Sequence, residues 1–426
     1  MGAWRQPRRA LARAMSAAQP PGMTAYVGAG GGGDTAAAVV RCLAHPAGGR
    51  AAVYGAGYSA AEYARSLAGG VRAAPGSGRE YDRLPFCGDS AVIAAYLRDM
   101  GARDDVGRDV PVFQVRPDGG SRHAAALFEG LRVDVAAPVE EQGAGFKHMS
   151  LLDEANVVAQ LAPPHPVYMF ASVRDLRDAA AARSAYDALA AHLRAAGARC
   201  LVLLDFGADL LDFGDAGGAR RPLARDTTVL LMALRLLRTG VVAELRLEVY
   251  GPGLDAHDTL EAVMQRLRGL GALAQVLPHG AGGAQVEAFV RALRQHEAPL
   301  ARFGLLRRGR ATANFLRAYE HLAADAPSAA EARAFVAEWL EARDDFAKRG
   351  EAERAAFRDA TLAYLEADPA RAQHFRAVVL VQLDSPEAGR RFADAVCAPE
   401  YAQLTAALEA PPAQHAPAPD AAHGTA

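Results

Sequence analysis

The stretch TAYVGAGGGGD, Thr24–Asp34, decides the fold that the sequence predicts. Its apolar start is typical of a buried strand, its glycines of a tight loop, and the next segment, Thr35–Ala44, of a helix. Gly28, Gly30 and Gly33 have the GxGxxG spacing with which dinucleotide-binding folds begin. The stretch therefore predicts the first part of a βαβ unit.

The glycine loop also predicts a binding site for an anion. Glycine lets the backbone adopt positive φ and approach a ligand closely. The N-terminus of the following helix offers free N–H groups and a positive dipole end. We expect a small phosphate-bearing ligand, such as a nucleotide, to bind at Gly28, Gly30, Gly31, Gly32 and Gly33. A tight turn that binds nothing is the alternative.

Asp34 directly follows these glycines. Its carboxylate could cap the helix, or it could contact a ligand hydroxyl or a metal ion. Because a carboxylate repels a phosphate, a phosphate ligand at this position requires a cation beside it. We therefore predict Mg²⁺ as the cofactor and Asp34 as a catalytic residue.

Further apolar segments predict more strands, and amphipathic segments between them predict helices. The strands after Thr24–Gly28 are Ala51–Gly55, Pro111–Val115, Leu131–Val135, Val167–Ala171, Cys200–Asp205, Leu245–Tyr250 and Ala274–Leu277. The helices are Asp175–Ala196, Asp226–Arg238 and Ala256–Gly269. This alternation predicts an α/β fold with a Rossmann-like, mostly parallel sheet and helices on both faces.

The pattern divides the chain into four parts. Residues 23–283 form the predicted α/β ligand-binding body, and residues 284–410 a mainly helical C-terminal part in which Ala377–Leu383 is compatible with a strand. The tail 411–426 has the low-complexity composition of a disordered segment. Residues 1–22 contain four arginines and no acid, which predicts a disordered or targeting segment. We expect a cytoplasmic protein, with a mitochondrial location as the alternative.

Composition excludes several classes of partner. The 47 basic and 49 acidic residues give a net charge of −2, which argues against nucleic acid as a partner. The sequence lacks a run of about 18 apolar residues, so no membrane span is expected. The four cysteines show no CxxC spacing, which disfavours a disulfide scaffold or a zinc knuckle. Composition leaves the oligomeric state open.

Carboxylates and glycines follow two other predicted strands. Asp205, Gly207 and Asp209 come at the end of one, and Gly251, Gly253 and Asp255 follow the other. The carboxyl ends of parallel strands share one edge of the sheet, where ligands bind. We therefore predict metal ligands and ligand-binding glycines at this edge. The predicted metal ligands are Asp205, Asp209 and Asp255, and the added glycines are Gly207, Gly251 and Gly253.

Asp226 begins a strongly apolar predicted helix and is the fifth carboxylate of interest. With Asp34 and Asp209 it completes the predicted catalytic set, because such carboxylates hold Mg²⁺ or, with a raised pKa, exchange protons. The alternative is structural, since Asp and Gly are common turn and cap residues at strand ends.

Three of these segments resemble one family. The glycine loop Gly28–Asp34, the segment Asp205–Leu210 and the segment Pro222–Asp226 are similar to motifs of the domain of unknown function 1152 family. Its members carry a GAGGGGD-type loop, a D-x-GGD element and a serine-proline-leucine-x-D segment. Here Ala208 replaces a glycine, and Arg221 replaces the serine.

The segment Tyr250–Asp255 is similar to a further stretch of that family, and the resemblance covers about residues 24–320. It implies that these elements belong together, and it implies no particular reaction.

The combined pattern predicts a protein that binds a nucleotide or other phosphate-bearing ligand with a divalent metal. Phosphoryl transfer or hydrolysis fits best, because it needs mainly positioning and charge neutralisation. The GxxxxGK[ST] pattern of P-loop proteins is absent. One alternative is an NAD(P)-dependent oxidoreductase, although the expected acid after the second strand is missing and the nearest is Glu62. Another is a non-catalytic Rossmann-like interaction protein, so whether the chain is an enzyme stays open.

Overall fold

The computed structural model describes a central sheet and the helices around it. The described residues are 22–30, 32–57, 106, 110–115, 165–171, 178–211, 225–255, 259–271, 274–277, 283–298, 311–322, 328–341, 346 and 350–409. The strands are β1 (Met23–Gly28), β2 (Arg50–Gly57), β3 (Val112–Gln114), β4 (Val167–Ala171), β5 (Ala198–Phe206), β6 (Glu244–Tyr250), β7 (Ala274–Leu277) and β8 (Val378–Leu383). They form one eight-stranded sheet in the order β3-β4-β2-β1-β5-β6-β8-β7.

The middle of this sheet is parallel. Strands β4, β2, β1, β5 and β6 pair in parallel, whereas β3 is antiparallel to β4, and β8 is antiparallel to both β6 and β7. The predicted α/β class with a mostly parallel sheet is confirmed. The predicted strand Leu131–Val135 lies outside the described residues, as do residues 1–21 and 410–426.

The mainly helical part of the chain contributes one strand to the interior of the sheet. The apolar segment of β8 lies between β6 and β7 and pairs with both of them. The four-residue β7 thus becomes the edge strand. The body that ends near residue 283 and the later part of the chain therefore share one sheet.

Ten helices of the described chain surround the sheet. They are α1 (Gly32–Leu43), α2 (Ala179–Ala196), α3 (Arg225–Arg238), α4 (Leu260–Gly269), α5 (Gly283–Gln295), α6 (Ala311–His321), α7 (Ala329–Glu341), α8 (Glu351–Ala367), α9 (Pro386–Val396) and α10 (Ala398–Glu409). Helix α2 begins four residues later than predicted, because Asp178 accepts a hydrogen bond from Ala181 N at 3.0 Å and caps it.

The helices cover both faces of the sheet, as predicted. Neighbouring residues on a strand point to opposite faces. Tyr26 of β1 lies under Arg41 of α1, while Val27 lines an apolar space with Leu189 of α2 and Val229 of α3. Helices α5 and α6 pack on α1, α9 packs on α3, and α10 packs on both α2 and α3. Among the described residues, every helix is too short or too polar to cross a membrane.

An ion pair between a half-buried arginine and a buried glutamate connects α1 to the sheet. Arg41, in the last turn of α1, places Nε 3.0 Å from Oε2 of Glu248 on β6. The Tyr250 hydroxyl donates a hydrogen bond to the same oxygen at 2.7 Å. Only 4% of the Glu248 side chain is exposed, so its charge depends on these partners rather than on water.

We predict that Arg41→Met destabilises the protein by about 3 kcal/mol, because Glu248 would keep a buried charge without its cation. Arg41→Met/Glu248→Gln recovers part of the loss, since the buried charge is then removed as well. Arg390→Met, which breaks an exposed pair with Glu387, is the control and changes stability little. Urea unfolding measures all three variants. Equal stability of Arg41→Met and the wild type contradicts the prediction.

Candidate functional site

Three carboxylates meet at the carboxyl edge of the parallel strands. Asp205 lies near the end of β5, Asp34 in the first turn of α1 and Asp226 in the first turn of α3. One oxygen from each lies within 4.8 Å of the other two. We refer to these residues as the acidic triad. All three are buried, and they unite two predicted catalytic residues with one predicted metal ligand.

The glycine loop makes room for these carboxylates. A Cβ on Gly28 would lie 2.5 Å from the backbone N of Thr35. Glycine at this position therefore lets the end of β1 pack directly against the first turn of α1. A Cβ on Gly30 would overlap the carboxylate of Asp226 and lie 2.5 Å from Asp34 Oδ2. Gly30 thus approaches the triad more closely than any side chain would allow. Of the other predicted loop glycines, Gly32 begins α1, and Gly31 lies outside the described residues.

Asp34 links α1 to the end of β5. Its Oδ1 accepts a hydrogen bond from the backbone N–H of Phe206 at 3.0 Å. Phe206 directly follows Asp205, so this bond sets the separation between two members of the triad. Asp34 was expected either to cap its own helix or to face a ligand, and the structure adds this third contact.

Asp205 has one paired and one unpaired oxygen. Its Oδ2 accepts a hydrogen bond from the N–H of Ala208 at 3.0 Å, while its buried Oδ1 has no hydrogen-bond partner among the described residues. An unpartnered carboxylate oxygen in the interior costs free energy. Binding of a cation or a proton to this oxygen would therefore remove that cost.

The loops after β5 and β6 lock together beside the triad. Gly207 donates its N–H to the carbonyl of Tyr250 at 3.0 Å, and its own carbonyl accepts from the N–H of Gly253. Gly207, Gly251 and Gly253 all have positive φ, as tight turns require. Their predicted contact with a ligand stays a prediction.

Asp209 and Asp255 surround the triad without joining it. Asp209 begins a short 3₁₀ turn, and Asp255 is buried. A Cβ on Gly207 would lie 2.5 Å from Cβ of Asp255. The loop after β6 therefore packs directly against the loop after β5. Among the described residues, the group with mutually close ligand oxygens is the triad, which contains Asp205 but neither Asp209 nor Asp255. The predicted role of Asp205, Asp209 and Asp255 as metal ligands stays a prediction.

Burial and mutual repulsion favour protonation of this cluster. Burial is the main cause that raises the pKa of Asp205 to about 8, and the charges of Asp226 and Asp255 add to it; a hydrogen bond from Asp209, which can donate one only when its own carboxyl is protonated, offsets part of the rise. Burial also raises the pKa of Asp209 well above its ordinary value, followed by the charge of Asp226 and then that of Asp205. Two such neighbouring carboxyls share a proton near neutral pH when they have no cation.

Sequence reasoning missed one residue near the site. Thr312, in the first turn of α6, is fully buried, and its Oγ1 lies 2.7 Å from where a Cβ on Gly33 would be. The available signal was a threonine, followed two residues later by Asn314, within an otherwise apolar helical segment. Nothing in that spacing indicated that α6 packs on α1.

A scan against protein-family models found no match, and searches of curated proteins and of solved structures also found none.

The acidic triad predicts an inverse dependence of stability on pH. The carboxyl of Asp205 has an ordinary pKa of 3.8 and a folded pKa of about 8. The folded chain therefore binds this proton more tightly between these values, and stability falls as pH rises, by up to about 1.4 kcal/mol per pH unit. With EDTA present, we expect Asp205→Asn to reduce the fall in melting temperature between pH 6 and pH 8.

Asp187→Asn on the exposed side of α2 is the control and keeps the slope of the wild type. Identical slopes for Asp205→Asn and the wild type would refute the proposed role of this carboxyl.

The backbone at Ala208 predicts a stabilising substitution. Ala208 has φ of 92°, a conformation that costs a side-chain-bearing residue about 1–3 kcal/mol. We expect Ala208→Gly to stabilise the protein by about 1 kcal/mol, after subtracting the greater entropy of glycine in the unfolded chain. Ala191→Gly, at an exposed position of α2, has the opposite sign because helical glycine is unfavourable. Thermal unfolding measures both, and destabilisation by Ala208→Gly contradicts the prediction.

Proposed function

We propose that the protein binds a divalent cation, Mg²⁺, at the acidic triad and a nucleotide or other phosphate-bearing ligand beside it. The observation that carries the proposal is the spacing of the three buried carboxylates, whose ligand oxygens lie within 4.8 Å of one another. Their burial makes this arrangement costly without a neutralising charge.

The spacing suits one hard cation. Oxygens on opposite sides of Mg²⁺ lie about 4.2 Å apart, and those on opposite sides of Ca²⁺ about 4.8 Å apart, given metal–oxygen distances of about 2.1 and 2.4 Å. The 4.8 Å limit of the triad equals the Ca²⁺ span, and Mg²⁺ would require its oxygens to approach one another to within about 4.2 Å. Carboxylate oxygens are the ligands that both ions prefer. Asp205 Oδ1, which has no hydrogen-bond partner among the described residues, is the oxygen most available to the ion.

The two helix N-termini supply the place for an anion. Asp34 lies in the first turn of α1 and Asp226 in the first turn of α3. Both carboxylates lie beside Gly30, so the two helices begin close to each other there. Free backbone N–H groups in such turns bind phosphate oxygens. A divalent cation in the triad supplies the positive charge that lets a phosphate approach three carboxylates.

Phosphoryl transfer or hydrolysis is the reaction class that this arrangement favours. In such reactions the protein mainly positions the phosphate and neutralises charge. Helices α1 and α3 would orient the phosphate. Asp209, whose pKa burial raises well above its ordinary value, could hold or release a proton beside it.

The oxidoreductase alternative finds less support. Strand β2 ends at Gly57 without an acid near its described end, whereas an NAD ribose calls for one. The resemblance to the domain of unknown function 1152 family stays a prediction and adds no reaction.

We predict that Asp205→Asn weakens Mg²⁺ binding at least about tenfold, because it removes one charge and one ligand oxygen. Isothermal titration with MgCl₂ measures this, with Asp187→Asn as the control that binds like the wild type. A thermal-shift screen of nucleotides, with and without Mg²⁺, then tests for the phosphate-bearing ligand.

Stabilisation by a nucleotide that depends on Mg²⁺ supports the proposal. A shift with NAD(P) that needs no metal favours an oxidoreductase instead. Unchanged Mg²⁺ affinity in Asp205→Asn overturns the metal site, and no shift with any compound favours a non-catalytic interaction protein.

A further inference from the structure

A buried hydroxyl faces the first turn of α1 from a third helix. Thr312 belongs to the first turn of α6 and is fully buried. Its Oγ1 has no hydrogen-bond partner among the described residues. A Cβ on Gly33 would lie 2.7 Å from this oxygen, so the hydroxyl points at the beginning of α1.

The unpaired hydroxyl needs a physical explanation. Burying a hydroxyl without a hydrogen bond is unfavourable, and valine would fill the same volume without that cost. Buried polar atoms in proteins are nearly always paired with protein, water or ligand. An unpaired hydroxyl next to helical N–H groups is therefore suited to a partner that accepts hydrogen bonds.

The position of α6 favours an anion as that partner. Helix α6 packs on α1 and on β5, the two elements that carry Asp34 and Asp205. Gly33 belongs to the first turn of α1 and follows Gly30, which lies beside Asp34 and Asp226 of the triad. The first turn of α6 thus lies at Gly33 and that of α3 at Gly30, both beside the N-terminus of α1, and the dipole of each helix favours an anion near its N-terminus.

We propose that Thr312 is a ligand-binding residue whose hydroxyl donates a hydrogen bond to a phosphate oxygen held at the N-terminus of α1. This inference rests on the proposed function and extends it to a residue of the mainly helical part of the chain. The phosphate lies between Thr312 on one side and the cation of the triad on the other. Thr312 would recognise the phosphate group itself, which is present in both inorganic phosphate and a nucleotide.

The test separates the hydroxyl of Thr312 from the branched shape of its side chain. Thr312→Val removes the hydroxyl and keeps the branched shape, whereas Thr312→Ser keeps the hydroxyl. Thr361→Val is the matched control, since Thr361 is equally buried, lies on α8 and pairs with the carbonyl of Phe357. Calorimetry measures the Kd of Mg²⁺ first, then the Kd of inorganic phosphate and of ADP in saturating Mg²⁺. Thermal unfolding is measured without ligand.

We expect Thr312→Val to weaken phosphate and ADP binding about tenfold or more, because a hydrogen bond to a charged group is lost. Its Mg²⁺ affinity stays that of the wild type, and its melting temperature does not fall, since the hydroxyl has no partner to lose. Thr312→Ser and Thr361→Val bind both probes like the wild type. Thr361→Val instead melts at a lower temperature, because it loses a hydrogen bond.

Two results overturn the inference in different ways. Equal affinity of Thr312→Val and the wild type for both probes, with or without a loss of stability, makes Thr312 structural and leaves the proposed function intact. Failure of the Mg²⁺-loaded wild type to bind either probe overturns both this inference and the phosphate part of the proposed function.

Discussion

Three buried carboxylates lie within 4.8 Å of one another, and the surrounding structure has to hold them there against their mutual repulsion. The N-termini of α1 and α3 offset part of that repulsion through their dipoles. Backbone N–H groups of Phe206 and Ala208 hold Asp34 and Asp205 in place. Ala208 reaches its position only through a positive φ, which is an example of backbone strain located at a candidate site.

The Arg41–Glu248 pair offers a comparison, because Glu248 is a second buried carboxylate of the same sheet. Glu248 accepts hydrogen bonds from both Arg41 and Tyr250, so its carboxylate is neutralised and paired within the fold. Asp205 has a similar depth of burial but keeps an unpaired oxygen. Sequences that specify one structure satisfy their buried polar groups except where function requires otherwise. The contrast between these two carboxylates therefore supports a ligand at the triad.

Local patterns predicted most of the described sheet because they depend on residues near in sequence. The segment Thr24–Asp34 predicted β1 and a helix after it, since an apolar strand, glycines and a helix follow one another directly, but α1 begins at Gly32, three residues before the predicted Thr35. The pattern was also compatible with a strand at Ala377–Leu383, but it did not indicate which strands this one pairs with. The antiparallel insertion of β8 between β6 and β7 depends on pairing across more than a hundred residues, for which a single sequence carries no local signal.

The candidate site also contains residues that local sequence patterns could predict and residues that they could not. Asp34, Asp205 and Asp226 could be grouped from sequence, because the carboxyl ends of parallel strands share an edge. The selection of these three from five aspartates could not be predicted, since it depends on the room that Gly30 leaves. Thr312 lies beyond residue 283, and only the packing of α6 on α1 brings it to Gly33. Because that part of the chain also supplies β8, the sheet and the proposed ligand site both require it.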